Sequence, residues 1–170
     1  MTSMSSTSLN ALASVKEKVG GYGGYGDSVT RRQSDKTIRL YLSGKIKELL
    51  KEFNADYIVP EEKDRDRLDS LVNSTKRKLL TVLLSLKSPT YIQELALESS
   101  VWQTHQFARI YELEKNMMDE VENIGVELSD LFQNGKAHAS FEEHFLHIDT
   151  FVDNINQALF EREALFLGDD

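Results

Sequence analysis

Apolar residues recur at helical spacing from about residue 35 almost to the end of the sequence, whereas the first 34 residues have almost no such pattern. Steps of three and four place side chains on one face of a helix, and no period-two alternation competes with them. The sequence therefore predicts an all-α fold in two parts. These are a disordered Ser/Gly/Tyr-rich tail over 1–34 and a single helical-bundle domain over 35–170.

About four helices are expected in this domain, packed as an antiparallel bundle, the simplest arrangement for helices with short connections. The third apolar stripe is long enough for a helix of about 60 Å, either continuous or with a kink or break near Glu98-Ser99-Ser100. Ser34 or Asp35 is placed to cap the first helix, and Ser140 with Glu143 forms a capping box for the last. The four helices are expected over 35–53, from Pro60 to about residue 88, over 90–134, and from Ser140 to about residue 166.

The tail contains two copies of a Gly-Gly-Tyr unit within 20–26. Glycine favours irregular backbone, so this segment is interpreted as a linker, with weak self-association through its tyrosines as the alternative. Before it, 9–19 has the apolar spacing of one marginal helix. After it, Arg31-Arg32-Gln33-Ser34 resembles a pattern favoured by basic-directed protein kinases, and whether Ser34 is modified is left open.

The net charge of −8 is unevenly distributed. Residues 1–87 hold 16 Lys and Arg against 11 Asp and Glu, whereas residues 88–170 hold 4 against 17. The second half therefore offers an acidic surface for a basic partner, unless the two halves pack together and offset each other's field. Nucleic-acid binding is not expected, because the only dense basic cluster is Lys76-Arg77-Lys78.

The sequence has no cysteine, which excludes disulfides, thiolate catalysis and cysteine-ligated metals. It has neither the G-x-S-x-G elbow of an acyl-transfer enzyme nor the Lys-Ser/Thr of a phosphate-binding loop. No apolar run is long enough to span a bilayer, and no secretory signal is expected. We expect a cytoplasmic protein that is not an enzyme and has no cofactor.

A metal is not expected either, although one group of side chains has suitable chemistry. Glu143 and His147 are four residues apart, and His144 and His147 are three apart, so these side chains share a helix face. A site in a bundle also needs ligands from a facing helix, and the paired motifs of di-iron bundles do not occur. If a divalent ion binds, the candidates are His105, Glu143, His144 and His147.

These observations favour a non-enzymatic protein–protein interaction module, such as an adaptor, regulator or scaffold. It would present an acidic, aromatic-bearing surface formed by the last two predicted helices to another protein, one with a basic surface being the best fit. The alternatives are a self-assembling homo-oligomer and a metal- or small-ligand-binding bundle. Trp102 is also a candidate for core packing. The predicted partner-binding residues are Trp102, Arg109, Glu142, Glu143, Phe151 and Phe160.

Overall fold

A computed structural model describes residues 4–53, 65–89, 91–98, 102–134 and 138–167. In this part of the chain the protein is entirely helical, with six helices and no strand. The predicted all-α fold is confirmed, but the expected count of about four helices is too low, because two shorter helices accompany four long ones. The helices are α1 (Ser6–Lys18), α2 (Ser28–Glu52), α3 (Arg65–Lys87), α4 (Tyr91–Glu98), α5 (Thr104–Asn134) and α6 (His138–Leu167).

The four long helices form a ring in which α2 packs on α3, α3 on α6, α6 on α5 and α5 on α2. Side-chain contacts give their directions. Helix α2 is antiparallel to α6, because Asp35 in its first half pairs with Arg162 near the end of α6, whereas Phe53 at its C-terminal end contacts Phe145 near the start of α6. The ion pair between Arg109 and Glu161 makes α5 and α6 antiparallel as well. Helices α3 and α6 run in the same direction, because Arg67 pairs with Glu142 and Lys78 pairs with Asp149.

The core follows the apolar stripes of these helices. Steps of three and four keep the apolar side chains of α5 and α6 on the faces that meet. At one end of the bundle, the ring centroid of Phe145 lies 5.8 Å from that of Phe53 and 4.9 Å from that of Phe141. The buried residues at the α5–α6 contact are Ile110, Leu113, Met117, Val121, Ile124, Leu128, Phe145, Ile148, Val152, Ile155 and Leu159.

Helix α1 lies along α5 and runs in the same direction. Ser8 donates to Glu112 and Lys18 pairs with Glu122, both across 104 positions of the sequence, so the two helices stay in register. The segment 19–27 then returns along the bundle to the start of α2. Tyr22 in this segment is 5% exposed. The expected disordered tail is not matched, because residues 6–34 pack on the bundle as a helix, a return segment and the start of α2.

Helix α2 begins at Ser28, with the side chain of Asp27 accepting a hydrogen bond from the backbone N–H of Val29. Ser34 and Asp35 therefore lie inside α2, and the prediction that one of them caps it is wrong. The capping-box prediction at Ser140 is also wrong, since α6 already begins at His138. The domain boundary at residue 35 stays a prediction.

The predicted helix over 90–134 is divided into α4 and α5. Trp102 and Gln103 are non-helical, and α4 packs on α2 and α6 across one end of the ring. Residues 99–101 lie outside the described part, as do the connector over 54–60 and the predicted start of the second helix at Pro60. Among the described helices, none combines the length and the apolar content needed to cross a membrane.

Gly24 in the return segment supplies a test of this packing. Its φ is +93°, and a Cβ atom there would lie 2.8 Å from the hydroxyl oxygen of Tyr111. We expect Gly24→Ala to lower the free energy of unfolding by about 1–3 kcal/mol, because both the strain and the contact must be relieved. Gly26→Ala is the matched control, since nothing lies within 4 Å of its Cβ position. Equal urea unfolding midpoints for both variants would contradict the packing of this segment.

Candidate functional site

A cluster of buried polar side chains lies at the end of the bundle where α2 and α5 begin and α6 ends. We call it the Arg162 cluster. Its members come from the return segment, α2, α5 and α6, and each is at most 5% exposed. Buried charges of this kind need acceptors and donors nearby, because water no longer solvates them. The cluster consists of Tyr22, Tyr25, Asp35, Glu114 and Arg162.

The guanidinium of Arg162 lies at the centre. Its Nε donates to Glu114 Oε1 at 2.9 Å, and its Nη2 donates to Asp35 Oδ1 at 2.7 Å and to the hydroxyl of Tyr25 at 2.8 Å. Tyr25 in turn donates to Glu114 Oε1 at 2.6 Å, and Tyr22 donates to the other oxygen of Glu114. The carboxylate of Glu114 thus accepts hydrogen bonds from three side chains, two in the return segment and one in α6.

A second layer of contacts surrounds the cluster. Arg39 donates to Asp35 Oδ2 through Nε at 2.8 Å and through Nη2 at 2.5 Å. The hydroxyl of Ser34 accepts from the N–H groups of Gly23 and Gly24 and donates to the carbonyl oxygen of Gly24. Ser34 is fully buried, so a protein kinase has no access to it in this state.

The ionisation of the cluster follows from burial and from the central guanidinium. Burial raises the pKa of Glu114, although Arg162 and the two tyrosine hydroxyls oppose this effect. Burial would also raise the pKa of Asp35, but Arg162 and Arg39 outweigh it and hold the pKa below its usual range. Burial raises the pKa of Tyr25 well above its usual value, so the hydroxyl stays protonated and remains a donor.

Trp102 covers the cluster from the side of α4. Its ring stacks on Tyr25, with centroids 5.9 Å apart and planes 5° from parallel, and Arg31 lies over it with Cζ 5.1 Å from the centroid. The indole N–H donates to the carbonyl oxygen of Ala96 at 2.9 Å. The predicted partner-binding residue Trp102 is therefore engaged in packing between α2, α4, α6 and the return segment.

The Arg162 cluster offers no open site for a substrate. Tyr25 and Glu114 have no exposed surface, and the hydrogen bonds described above already use the acceptor oxygens of Glu114 and Asp35. The arrangement is suited to holding helices together.

An open groove of about 430 Å³ lies between α5 and α6, and we call it the α5–α6 groove. Within it, Arg109 donates to Glu161 at 2.8 Å, and Asn154 donates to Glu120 Oε1 at 2.8 Å. Asp119 pairs with Lys115 at its edge. The groove is lined by carboxylates, amides and one arginine over an apolar floor: Arg109, Asn116, Asp119, Glu120, Asn123, Asn154, Gln157 and Glu161 above Leu113 and Ala158.

The other predicted partner-binding residues lie on different faces. Glu142 accepts two hydrogen bonds of 2.6 Å from Arg67 of α3, and Glu143 is exposed. Phe151 is half-buried against the core, whereas Phe160 is 69% exposed. The structure thus places only Arg109 of the six in the α5–α6 groove, and a role in binding stays a prediction for all six.

Of the three candidate histidines, His144 and His147 contact the same carboxylate, whereas His105 lies far from them. His144 Nδ1 and His147 Nδ1 lie 2.5 and 3.1 Å from the carboxylate oxygens of Glu127, which the sequence analysis did not single out. His105 is 22 residues from Glu127 on the same helix, about 33 Å along its axis. Over the described ranges, no group of three or more His, Asp and Glu side chains is arranged to hold a metal ion.

The charge difference between the two halves of the chain is partly offset within the fold. Lys18, Arg67 and Lys78 of the basic half pair with Glu122, Glu142 and Asp149 of the acidic half. These pairs agree with the interpretation that the halves pack on each other. They leave an acidic surface all the same, because α5 and α6 together hold 13 Asp and Glu against 3 Lys and Arg.

The Arg162 cluster was not predicted from the sequence, although the sequence contains a signal for it. Glu114 lies four residues after Ile110 and three before Met117, and Arg162 lies three residues after Leu159 and four before Phe166. Both charges therefore occupy the apolar stripe of their helix. A charge at such a position indicates a buried partner of opposite sign.

Comparisons of the chain with protein-family models, with curated proteins and with solved structures gave no match. The fold and its two polar features therefore carry the functional argument on their own.

Substitution of Arg162 tests the role of the cluster. Arg162→Met leaves Asp35 and Glu114 buried without their shared guanidinium, so we expect a loss of about 3–5 kcal/mol in the free energy of unfolding. Arg109→Met is the matched control, because Arg109 is exposed and surface pairs contribute about 0–1 kcal/mol. Denaturant unfolding followed by circular dichroism measures both variants. A loss for Arg162→Met no larger than for the control would show that the cluster does not hold the helices.

Proposed function

We propose that this protein is a non-enzymatic interaction module that binds a basic surface of another protein in the α5–α6 groove. The observation that carries this proposal is the contrast between the two polar features. The Arg162 cluster is sealed and fully engaged, whereas the groove is open, with the carboxylates of Asp119, Glu120 and Glu161 at its surface. The proposed location is the cytoplasm.

Glu120 is the best-placed acceptor in the groove. Its described contacts are with the amide groups of Asn123 at 3.2 Å and Asn154 at 2.8 Å, and with no cation. These amides hold the carboxylate in position without neutralising it. A lysine or arginine of a partner can therefore form a charge-assisted hydrogen bond with Glu120. Leu113 and Ala158 below it provide apolar surface for the stem of such a side chain.

Self-assembly is a second candidate, favoured by an exposed aromatic side chain on the α3–α6 side. Phe160 is 69% exposed. It lies seven residues after Asp153, which pairs with Lys78 of α3, so it shares the side of α6 next to α3. Exposed apolar surface of this kind often marks an interaction site. A second copy of the chain could cover Phe160.

The absence of cysteine allows the two candidates to be separated by site-specific photocrosslinking. A benzophenone is attached at Asn123→Cys in the groove, at Phe160→Cys on the α3–α6 side, or at Asp130→Cys, an exposed position outside both, as the control. We expect a foreign protein to be captured from position 123 and not from position 130. Capture of a second copy from position 160, with nothing captured from position 123, would favour self-assembly.

The captured partner is then purified and its affinity measured by calorimetry. Charge reversal at Glu120→Lys should weaken binding at least tenfold, because a partner cation would meet a like charge in the groove. Asp130→Lys makes the same change in net charge at an exposed site outside the groove, and is expected to change the affinity less than twofold. Equal affinity for the wild type and Glu120→Lys would remove the groove from consideration.

A further inference from the structure

A second groove, of about 380 Å³, lies on the other side of the bundle between α2 and the end of α3. We call it the α2–α3 groove. The buried side chain of Leu86 and Pro89 form its floor. The groove is open at Gly44, because no described atom lies within 4 Å of the position that a Cβ atom of residue 44 would take. Arg39 closes it at the back, where it is held by Asp35 and by the carbonyl oxygen of Leu86.

The rim of the α2–α3 groove is basic. Lys36, Lys47 and Lys87 line it, and no Asp or Glu is among the lining residues that the structure describes. All three lysines are exposed, and none forms an ion pair with a described residue. Lys18, Lys78 and Lys115 elsewhere on the surface do pair with carboxylates. The positive charge of this rim is therefore not neutralised within the described fold.

An apolar side chain lies between these charges. Leu40 is 62% exposed, one turn after Lys36 and two turns before Lys47 on the same face of α2. An exposed leucine beside an apolar floor has lost little contact with water, so its burial by a partner would be favourable. The groove thus combines an apolar centre with cations on both sides.

We propose that the α2–α3 groove binds an acidic amphipathic helix of a partner protein. The positions from Lys36 to Lys47 span about 16 Å of α2, the length of about three turns of a docked helix. Apolar side chains of that helix would pack on Leu40 and over Gly44, and its flanking carboxylates would reach the lysines. This is the helix-in-groove mode of recognition, in which apolar anchors recur at helical spacing.

The shape of the site disfavours an anionic membrane as the occupant. The groove is concave, and none of its described lining residues is aromatic, whereas helices that lie on membranes present a convex apolar face with aromatic or leucine anchors. A single small anion is disfavoured too, because the three lysines lie around an apolar centre. The proposal concerns a face formed by α2 and α3, so it does not depend on the α5–α6 groove.

The probe for the test is a fluorescein-labelled 14-residue helical peptide with Leu at positions spaced by three and four and Glu on either side of them. The control peptide has Gln in place of each Glu. We expect fluorescence anisotropy to show at least tenfold tighter binding of the Glu peptide to the full chain. The difference should shrink as the salt concentration rises, because exposed charges are screened.

Two variants with the same net charge locate the site. The double variant Lys47→Glu, Lys87→Glu reverses the charge of two of the three rim lysines and should weaken binding of the Glu peptide at least tenfold. The double variant Lys16→Glu, Lys45→Glu replaces exposed lysines outside the groove and should change the affinity for the Glu peptide less than twofold. All four side chains are exposed, so both variants should keep the wild-type melting temperature.

Three results would overturn the proposal. One is equal affinity for the Glu and Gln peptides, and another is equal weakening by the two double variants. The third is sedimentation of the protein with vesicles of phosphatidylserine and phosphatidylcholine while the Glu peptide does not bind, which would assign the basic rim to a membrane surface.

Discussion

The guanidinium of Arg162 joins the return segment, α2 and α5 to α6, and the rest of the fold depends on this contact. A buried cation costs several kcal/mol in lost hydration, so it requires anionic acceptors in good geometry. Asp35 and Glu114 supply them from two other helices. The observed arrangement of the helices pairs all three charges. A rearrangement that separated them would leave a buried charge without its partner, which is strongly destabilising.

The return segment shares in this contact through its tyrosines. The hydroxyls of Tyr22 and Tyr25 both donate to Glu114, and the N–H of Tyr25 donates to the hydroxyl of Tyr111. Gly24 permits the close approach of the backbone to Tyr111. The glycines and tyrosines of 20–26 thus serve a buried turn, where local composition alone indicates a linker.

The four long helices could be predicted from the sequence because apolar periodicity is a local property. The packing of residues 6–27 could not, because the partners of Tyr22 and Tyr25 lie about 90 positions away. The six predicted partner-binding residues share chemical character and nearby positions in the sequence, but in the fold they lie on different faces. Glu142 faces α3 and Trp102 faces the cluster, while the groove carboxylates Asp119 and Glu120 resemble any solvated acidic pair in the sequence.

The two faces of the bundle carry opposite charge. The α5–α6 groove presents carboxylates and amides, and the α2–α3 groove presents lysines around a leucine. Ion pairs between the halves of the chain neutralise much of the charge where α3 meets α6 and where α1 meets α5. In the α5–α6 groove Glu120 has no cation among its described contacts, and in the α2–α3 groove Lys36, Lys47 and Lys87 form no ion pair with a described residue, so these charges remain for other molecules. A bundle held rigid by a buried cluster is a suitable support for two such surfaces.

Hydrogen exchange of the return segment in the full chain, resolved to single amides by NMR, tests the central claim most directly. The N–H groups of Gly24 and Tyr25 donate to the hydroxyls of Ser34 and Tyr111 beside the Arg162 cluster. If the cluster locks this segment to the bundle, their opening free energies will match those of the core amides of α5. Exchange within tenfold of the rate of an unstructured peptide at both amides would contradict the account.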